Sequence, residues 1–460
     1  MAASNKTAPA LPVLNPHAAG IDIGATQIFV AVPAETDASP VRHYATFTAD
    51  LLALADWLQK CHIKTVAMES TGVYWIPLFQ ILQERGLEVY LVNARYLKNV
   101  PGHKSDVEDC QWIQYLHACG LLHASFRPEQ QVCVVRSLLR HRENLVTAAT
   151  IHVQHMQKAL TQMNLQLHNL ISDITGKTGL AIIDAILQGE RDPETLAAFR
   201  DAHIKVSQEM IAKSLVGDYH FEHLFVVKQA LGAYRYYQQL IAECDAQLEA
   251  QLVCFESKVD PNEKPLAPSE RRFRLPTRGH PLHFENVDLR TELYRLLGVD
   301  LTAVPGLGAL TLYTLFSEIG RDLSAFPTYK HFCSWLGLCP HNRISGGKVL
   351  SSKTRDVKSR AAQALRLAAQ GLCRSHSALG DYYRKMRSRL GPAAANTAAA
   401  HKLARIIYHL LTTGQSYDES VFAKEQERAR QSRERKLKRD ARALGYRLVP
   451  EAVGLEPAVT

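Results

Sequence analysis

The sequence predicts an α/β domain at the N-terminus, followed by a long helical middle region and a mainly helical C-terminal region. Three observations predict it. Strand-like apolar runs alternate with helically spaced ones up to Ala118; apolar residues then recur at intervals of three and four from Pro128 to about Ser257; and helical spacing returns from Leu289 to about Tyr417. With 460 residues, 46% of them hydrophobic, the chain has material for several packed domains without a metal or disulfide staple.

The elements follow in order. Gly20-Ile21-Asp22-Ile23-Gly24 opens an apolar run that continues through Phe29-Val30-Ala31-Val32 and stops at Pro33. Another strand is expected around Val41 to Phe47, and helical spacing covers Leu51 to Cys61. A short strand, Thr65 to Met68, precedes a helix from Pro77 to Arg85, a strand from Leu87 to Val92 and a helix from Asp106 to Ala118. Beyond Pro128, Val134, Leu138, Leu145, Ile151, Met156 and Leu160 mark a helical pair or coiled coil, interrupted near Gly176–Gly179. Lys258 to Asn286 is rich in Pro and Arg and has no apolar period, so it reads as a linker or exposed insertion. Val304-Pro305-Gly306-Leu307-Gly308 reads as a turn between helices, and Lys424 to Arg447, with ten Lys or Arg against four acids, as a basic helix or arm. The domain limits are therefore 17–125, 126–257, 258–288, 289–417 and a basic tail, 418–460.

A formal charge of +9 favours an anionic partner such as nucleic acid. No run of eighteen apolar residues suggests a membrane span, and the first sixteen residues lack the apolar stretch of a secretory signal. Nine irregularly spaced cysteines suit reduced thiols, and a cytoplasmic location is expected. His331-x-Cys333 with Cys339-x-His341 has an unusual spacing for zinc, and the intervening Trp335-Leu336-Gly337-Leu338 reads as core.

Four acids stand out. Asp22 lies within a strand between isoleucines, where an unpartnered charge is costly. Glu69 follows the strand Thr65–Met68, and Asp106 and Asp109 share one face at a helix start. Taken singly, Asp106 and Asp109 are ordinary first-turn acids. As a set, acids at strand ends converging with a helical pair are what a two-metal phosphodiester site requires, and Mg²⁺ takes oxygen ligands without needing histidine.

The stretches Gly20-Ile21-Asp22-Ile23-Gly24, Met68-Glu69-Ser70-Thr71-Gly72-Val73-Tyr74, Asn93-Ala94-Arg95 and Lys104-Ser105-Asp106-Val107-Glu108-Asp109 resemble, in order and spacing, one family. It is the DEDD-type, RuvC-like bacterial insertion-sequence transposases, the bridge-RNA-guided, serine-assisted recombinases. Val304–Gly308, Phe332–Pro340, Ile344–Lys348, Leu365–Ala369 and His401–Ala404 resemble the same family's transposase domain. The resemblance implies an RNase H-like (RuvC-like) N-terminal domain in which Asp22, Glu69, Asp106 and Asp109 hold two Mg²⁺ ions. It also implies a serine nucleophile, carried onto Ser345, with Ser351 and Ser352 as nearby competitors. DNA at the element ends and target, a structured guide RNA and a homo-oligomer (dimer or tetramer) complete the expectation, which is an enzyme of phosphodiester strand transfer. The chain departs from the family at Lys353–Lys358, which lacks the usual Lys-x-Gly-Asn turn.

Phosphate contacts are expected from Arg136, Arg140 and Arg142 on the long helix, and from Gly306 and Gly308, whose amides would face a phosphate at a helix start. Lys348, Lys353, Arg355 and Lys358 complete the set, although a charge run is as a rule a solvated face. Two alternatives stay open at this point. An actin-like or sugar-kinase-type ATPase is compatible with Gly20–Thr26 but lacks a second Asp-x-Gly loop and a Gly-Gly adenosine motif; a RuvC-like nuclease without recombinase activity would lack the serine chemistry.

Overall fold

The computed structural model describes residues 11–70, 72–93, 106–268 and 280–447, and within these the side chains of 423–426 and 429 are left aside. Parts of the sequence motifs, Thr71, Ala94-Arg95 and Lys104-Ser105, lie outside the described residues, as does the centre of the 258–288 segment. The chain divides into two compact units, Met1–Arg127 and Pro128–Thr460.

The first unit is built on a five-stranded sheet in the order β3-β2-β1-β4-β5. Its strands are β1 (Ala18–Ile23), β2 (Gln27–Ala31), β3 (Val41–Ala45), β4 (Thr65–Glu69) and β5 (Glu88–Val92). The first three pair antiparallel, while β4 and β5 run parallel to β1. The apolar run from Gly20 to Val32 is thus two strands. Gly24-Ala25-Thr26 reverses the chain, closed by the Gly24 amide donating to the Gln27 carbonyl at 2.9 Å. Periodicity alone does not reveal such a break, because apolar residues fill both sides of the turn.

Helices α1 (Thr48–Lys60) and α2 (Trp75–Glu84) cover one face of the sheet, where Ile21, Ile23, Ile28 and Val30 meet Leu54, Leu58, Leu78 and Leu82. Helix α3 (Asp106–Ala118) covers the other, its Ile113 packed with Ala67 and Val92. Buried His117 in the last turn of α3 bonds the Thr65 hydroxyl at 2.9 Å and lies against Tyr90. Burial lowers the pKa of its imidazole to about 4, so the ring is neutral and pins the helix end to β4.

The second unit opens with α4 (Gln130–Gln162). The short helices α5 (Leu167–Leu170), α6 (Lys177–Gln188), α7 (Pro193–Ala197) and α8 (Gln208–Ser214) follow, then α9 (Phe221–Val253). Helices α4 and α9, 33 residues each, pair antiparallel: Cys244 reaches the Leu138 carbonyl, while His152 stacks on Tyr237. The expected interruption near Gly176 is the start of α6, set within a larger group of short helices.

A set of helices completes the unit: α10 (Leu289–Leu297), α11 (Ala309–Ile319), α12 (Tyr329–Trp335), α13 (Arg360–Gly371), α14 (Ala378–Leu390), α15 (Pro392–Thr413) and α16 (Ala423–Ala443). Between α12 and α13 lies a small hairpin, β6 (Arg343–Ser345) and β7 (Lys348–Ser351), which helical spacing did not anticipate. The segment read as a linker is fastened at both described ends. The Lys258 amide donates to the Arg295 carbonyl at 2.9 Å, and Glu249 accepts from the amides of Glu285 (3.0 Å) and Asn286 (2.7 Å). Among the described residues, no helix is long and apolar enough to cross a membrane.

Candidate active site

Side chains alternate along a strand, so β1 sends Ala19, Ile21 and Ile23 toward α1 and α2, and Ala18, Gly20 and Asp22 toward α3. At Gly20 the α3 backbone lies directly on the strand. An added Cβ would stand 2.2 Å from the Gln114 nitrogen and 2.4 Å from the Cys110 carbonyl oxygen, closer than atoms tolerate. The Gln114 side chain adds a hydrogen bond to the Ala18 carbonyl at 3.2 Å. Helix and strand run in opposite senses, so the first turn of α3 arrives where β1 ends. Carboxylate oxygens of Asp22, Asp106 and Asp109 all fall within 4.8 Å of one another there.

Glu69 joins them from the neighbouring strand. The register Gly20–Ala67 and Ile21–Met68 places it level with Asp22, and alternation turns it to the same face as Ala67, toward α3. Its charge acts on Asp22: burial, then Asp106, Glu69 and Asp109, push the Asp22 carboxyl up to about 6, against one lowering hydrogen bond from the Ile23 amide. Asp22 is half-buried, whereas Asp106 and Asp109 are exposed. An all-oxygen donor set of crowded carboxylates suits a hard divalent cation such as Mg²⁺.

Gly20 belongs to this site although sequence reasoning treated it only as part of a motif. The signal was a glycine inside an otherwise apolar strand, which marks close backbone approach.

Ser345 is exposed at the end of β6, directly opposite Lys348. The connecting Gly346 and Gly347 both have positive φ, +55° and +76°, as a two-residue type I′ turn requires. Ile344 pairs with Val349, both exposed and turned away from the Ser345–Lys348 pair, and the register shifts between Arg343 and Ile344. Of the competing serines, the Ser351 hydroxyl accepts from the Lys353 amide at 3.3 Å and Ser352 is exposed.

The expected phosphate-binding residues fare differently. Arg142 is buried, its guanidinium gripped by Asp245 and donating to the Pro281 carbonyl at 2.9 Å. The expectation of Arg142 on an exposed basic face is therefore corrected: a buried guanidinium is held by a carboxylate because desolvation leaves it no alternative. Arg136 donates to the carbonyls of Ser317 (3.1 Å) and Glu318 (2.9 Å), and Arg140 grips the Glu318 carboxylate through both oxygens. These arginines tie α4 to α11. Arg355 donates to the Ser334 carbonyl at 2.5 Å, whereas Lys348, Lys353 and Lys358 are exposed, Lys353 pairing with Asp356 at 3.6 Å. Gly306 has φ +89° and packs against α13, while Gly308 precedes the first turn of α11 with open space beside it.

Residues 19–165 match a transposase model of the DEDD, IS110 type, and residues 300–384 match the transposase model of the IS116/IS110/IS902 family. The chain belongs to the IS110 family of insertion-sequence transposases. The first match holds β4 and α3 in full and β1 from Ala19, with Asp22, Glu69, Asp106 and Asp109 all inside it, and the second contains Ser345. A relative from Streptomyces coelicolor, the "Insertion element IS110 uncharacterized 43.6 kDa protein", is 29% identical over 128 residues, which are 27% of this chain. The matched part spans 31% of that relative's length. Family membership sets aside the sugar-kinase reading of Gly20–Thr26.

Proposed function

We propose that this protein is a DNA transposase that cleaves and rejoins DNA strands at insertion-sequence ends and at their target. The observation that carries the reading is the meeting of Asp22, Asp106 and Asp109 within 4.8 Å, with Glu69 acting on the same carboxyl, in a chain of a transposase family. The sheet, with three antiparallel strands followed by two parallel ones, supports the RNase H-like assignment that the resemblance implies.

Asp22, Glu69, Asp106 and Asp109 would hold Mg²⁺, two ions on this reading. When bound, the metal supplies charge neutralisation at the scissile phosphate and polarises its oxygens. The protein's own part is positional. Asp22 and Glu69 are fixed by strand register, and Asp106 and Asp109 by the seating of α3 on Gly20.

Ser345 would be the nucleophile. Its Oγ forms a bond to phosphorus as the phosphate parts from a deoxyribose oxygen, which takes up the hydroxyl proton. The phosphoserine ester keeps the bond energy, and the reverse exchange joins a new strand without ATP. Lys348, paired with the serine across the hairpin, suits the phosphate's charge. Among the residues expected to touch nucleic acid, exposed Lys348, Lys353 and Lys358 and the Gly306–Gly308 turn remain in this reading. A structured guide RNA and assembly as a dimer or tetramer belong to it through the family resemblance.

The test is strand exchange on DNA carrying the element ends with co-purified RNA. Asp22→Asn should abolish cleavage, and Ser345→Ala should abolish the covalent protein–DNA adduct detected after denaturation. Cleavage that persists in Ser345→Ala with Mg²⁺ would mark a RuvC-like nuclease without serine chemistry instead.

A further inference from the structure

We infer that α16 is a duplex-DNA-binding helix that lies in the major groove, with one charged face against the bordering phosphates. The helix lies outside both family-matched regions, which end at residues 165 and 384. Its described side chains from Glu427 to Ala443 are exposed, apart from half-buried Ala441, so packing does not explain its composition.

Its charges are in phase. Arg428, Gln431, Arg435, Lys438, Arg439 and Arg442 recur at the spacing by which a helix forms one face, and they fit within an arc of about 100°. In an ordinary amphipathic helix those positions are apolar; here five of the six are cations. The acids Glu427, Glu434 and Asp440 fall outside the arc, where Glu434 pairs with Lys438 at 2.6 Å and Asp440 with Arg439 at 3.5 Å. Like charges at three- and four-residue spacing destabilise a helix: Arg435 faces Lys438 and Arg439, and both face Arg442. A polyanion along the face relieves this repulsion.

The dimensions select duplex DNA among polyanions. From Arg428 to Arg442 the face is about 21 Å long, and B-DNA carries one phosphate per strand about every 3.4 Å of axis. The B-form major groove admits a helix, whereas the A-form groove of double-stranded RNA is too deep and narrow for side chains to enter. The inference deepens the transposase reading by naming a DNA contact outside the active site, yet its test needs no strand cleavage.

That test measures binding of the full-length chain to a short mixed-sequence DNA duplex by fluorescence anisotropy across KCl concentrations. The triple variant Arg428→Gln, Arg435→Gln, Arg442→Gln should reduce the slope of log affinity against log salt by about 2.7, at about 0.9 per lost phosphate contact. A matched triple off the face, Arg430→Gln, Arg433→Gln, Lys436→Gln, should change the slope by less than about 1. Glutamine is a good helix former, so circular dichroism should stay constant. The triple Arg→Lys variant at 428, 435 and 442 should keep the parental slope, separating charge from folding. Equal losses for the two glutamine triples, an unchanged slope for the face triple, an Arg→Lys loss as large as the glutamine loss, or a loss confined to structured RNA would each overturn the inference. Asp22→Asn should keep the parental slope; if it lost strand exchange alone, the carboxylate reading would be tested apart from the helix.

Discussion

Asp22 stands on a strand sealed by helices on both faces, and its partners reach it through register and helix seating. Ser345 stands on a two-stranded hairpin whose residues from Arg343 to Leu350 are all exposed. The carboxylates are thus placed by the packed interior, which resists small displacements, and the serine by an exposed hairpin held at its base, where the His341 amide donates to the Lys353 carbonyl at 3.0 Å. A hairpin of two strands is marginal by itself in water. The contrast suits the division of labour proposed above: a charged pocket has to exist before its cation arrives, whereas a nucleophile has only to be presented. Exposed Ile344 and Val349, on the face away from Ser345, leave the hairpin free to gain order from whatever it meets.

The contrast is broken most severely by the chemistry itself. Ser345→Ala and Asp22→Asn should each lower strand exchange by a factor on the order of 10⁴ or more, the scale of losing a nucleophile. Yet Ser345→Ala should leave stability to urea within about 0.5 kcal/mol of the parent, as surface changes do. A marked loss of stability in Ser345→Ala would mean that the hairpin is structurally anchored after all.

Next comes Gly20→Ala. The new methyl meets α3 backbone, not flexible side chains, so urea denaturation should show a loss of about 3 kcal/mol or more, the upper end of overpacking costs. Isothermal titration should show Mg²⁺ affinity falling with it, because Asp106 and Asp109 move away from Asp22. Gly346→Ala, by contrast, meets no atom and carries only the strain of its positive φ, roughly 1 kcal/mol. Comparable effects at the two glycines would erase the distinction between the regions.

A third measurement uses pH. The folded, metal-free protein holds the Asp22 proton more tightly than the unfolded chain does, since burial and three neighbouring acids raise its pKa from 3.8 to about 6. Folding therefore takes up a proton between those values, and stability falls as pH rises through that window, levelling off above about 6. In Asp22→Asn this decline should disappear, making the metal-free variant the more stable protein at pH 8. Mg²⁺ should bind the parent more weakly below about pH 6, where it competes with that proton. If Asp22→Asn were less stable than the parent at pH 8 without metal, the acids would not be crowded as described.

Much of the acid site was legible because each acid sits at the end of an element that announces itself: β1 and β4 as apolar runs, α3 as a helix opening on two acids. Gly20 was visible as a residue but not as a contact, since only the fold lays α3 across it. The β1–β2 turn was hidden by apolar residues on both sides. The β6–β7 hairpin was missed because its strands are too short to build a period-2 signal. Arg142 was misread for a different reason. Its helix face looks basic in the sequence, and only the antiparallel pairing of α4 with α9 reveals that Asp245 waits opposite. Tertiary pairing of distant charges leaves no trace in local spacing.

The paired helices α4 and α9 have a mechanical consequence. Thirty-three residues make a rod about 50 Å long. At one end Arg136 and Arg140 of α4 clasp α11, and at the other sit the short helices α5 to α8. From that clasp to the far tip is about 35 Å, so a tilt of only about 5° would sweep the tip through about 3 Å. Arg321 with Glu129 and Arg360 with Glu143 hold the same end, so the rod is a stiff arm based on the helices it clasps.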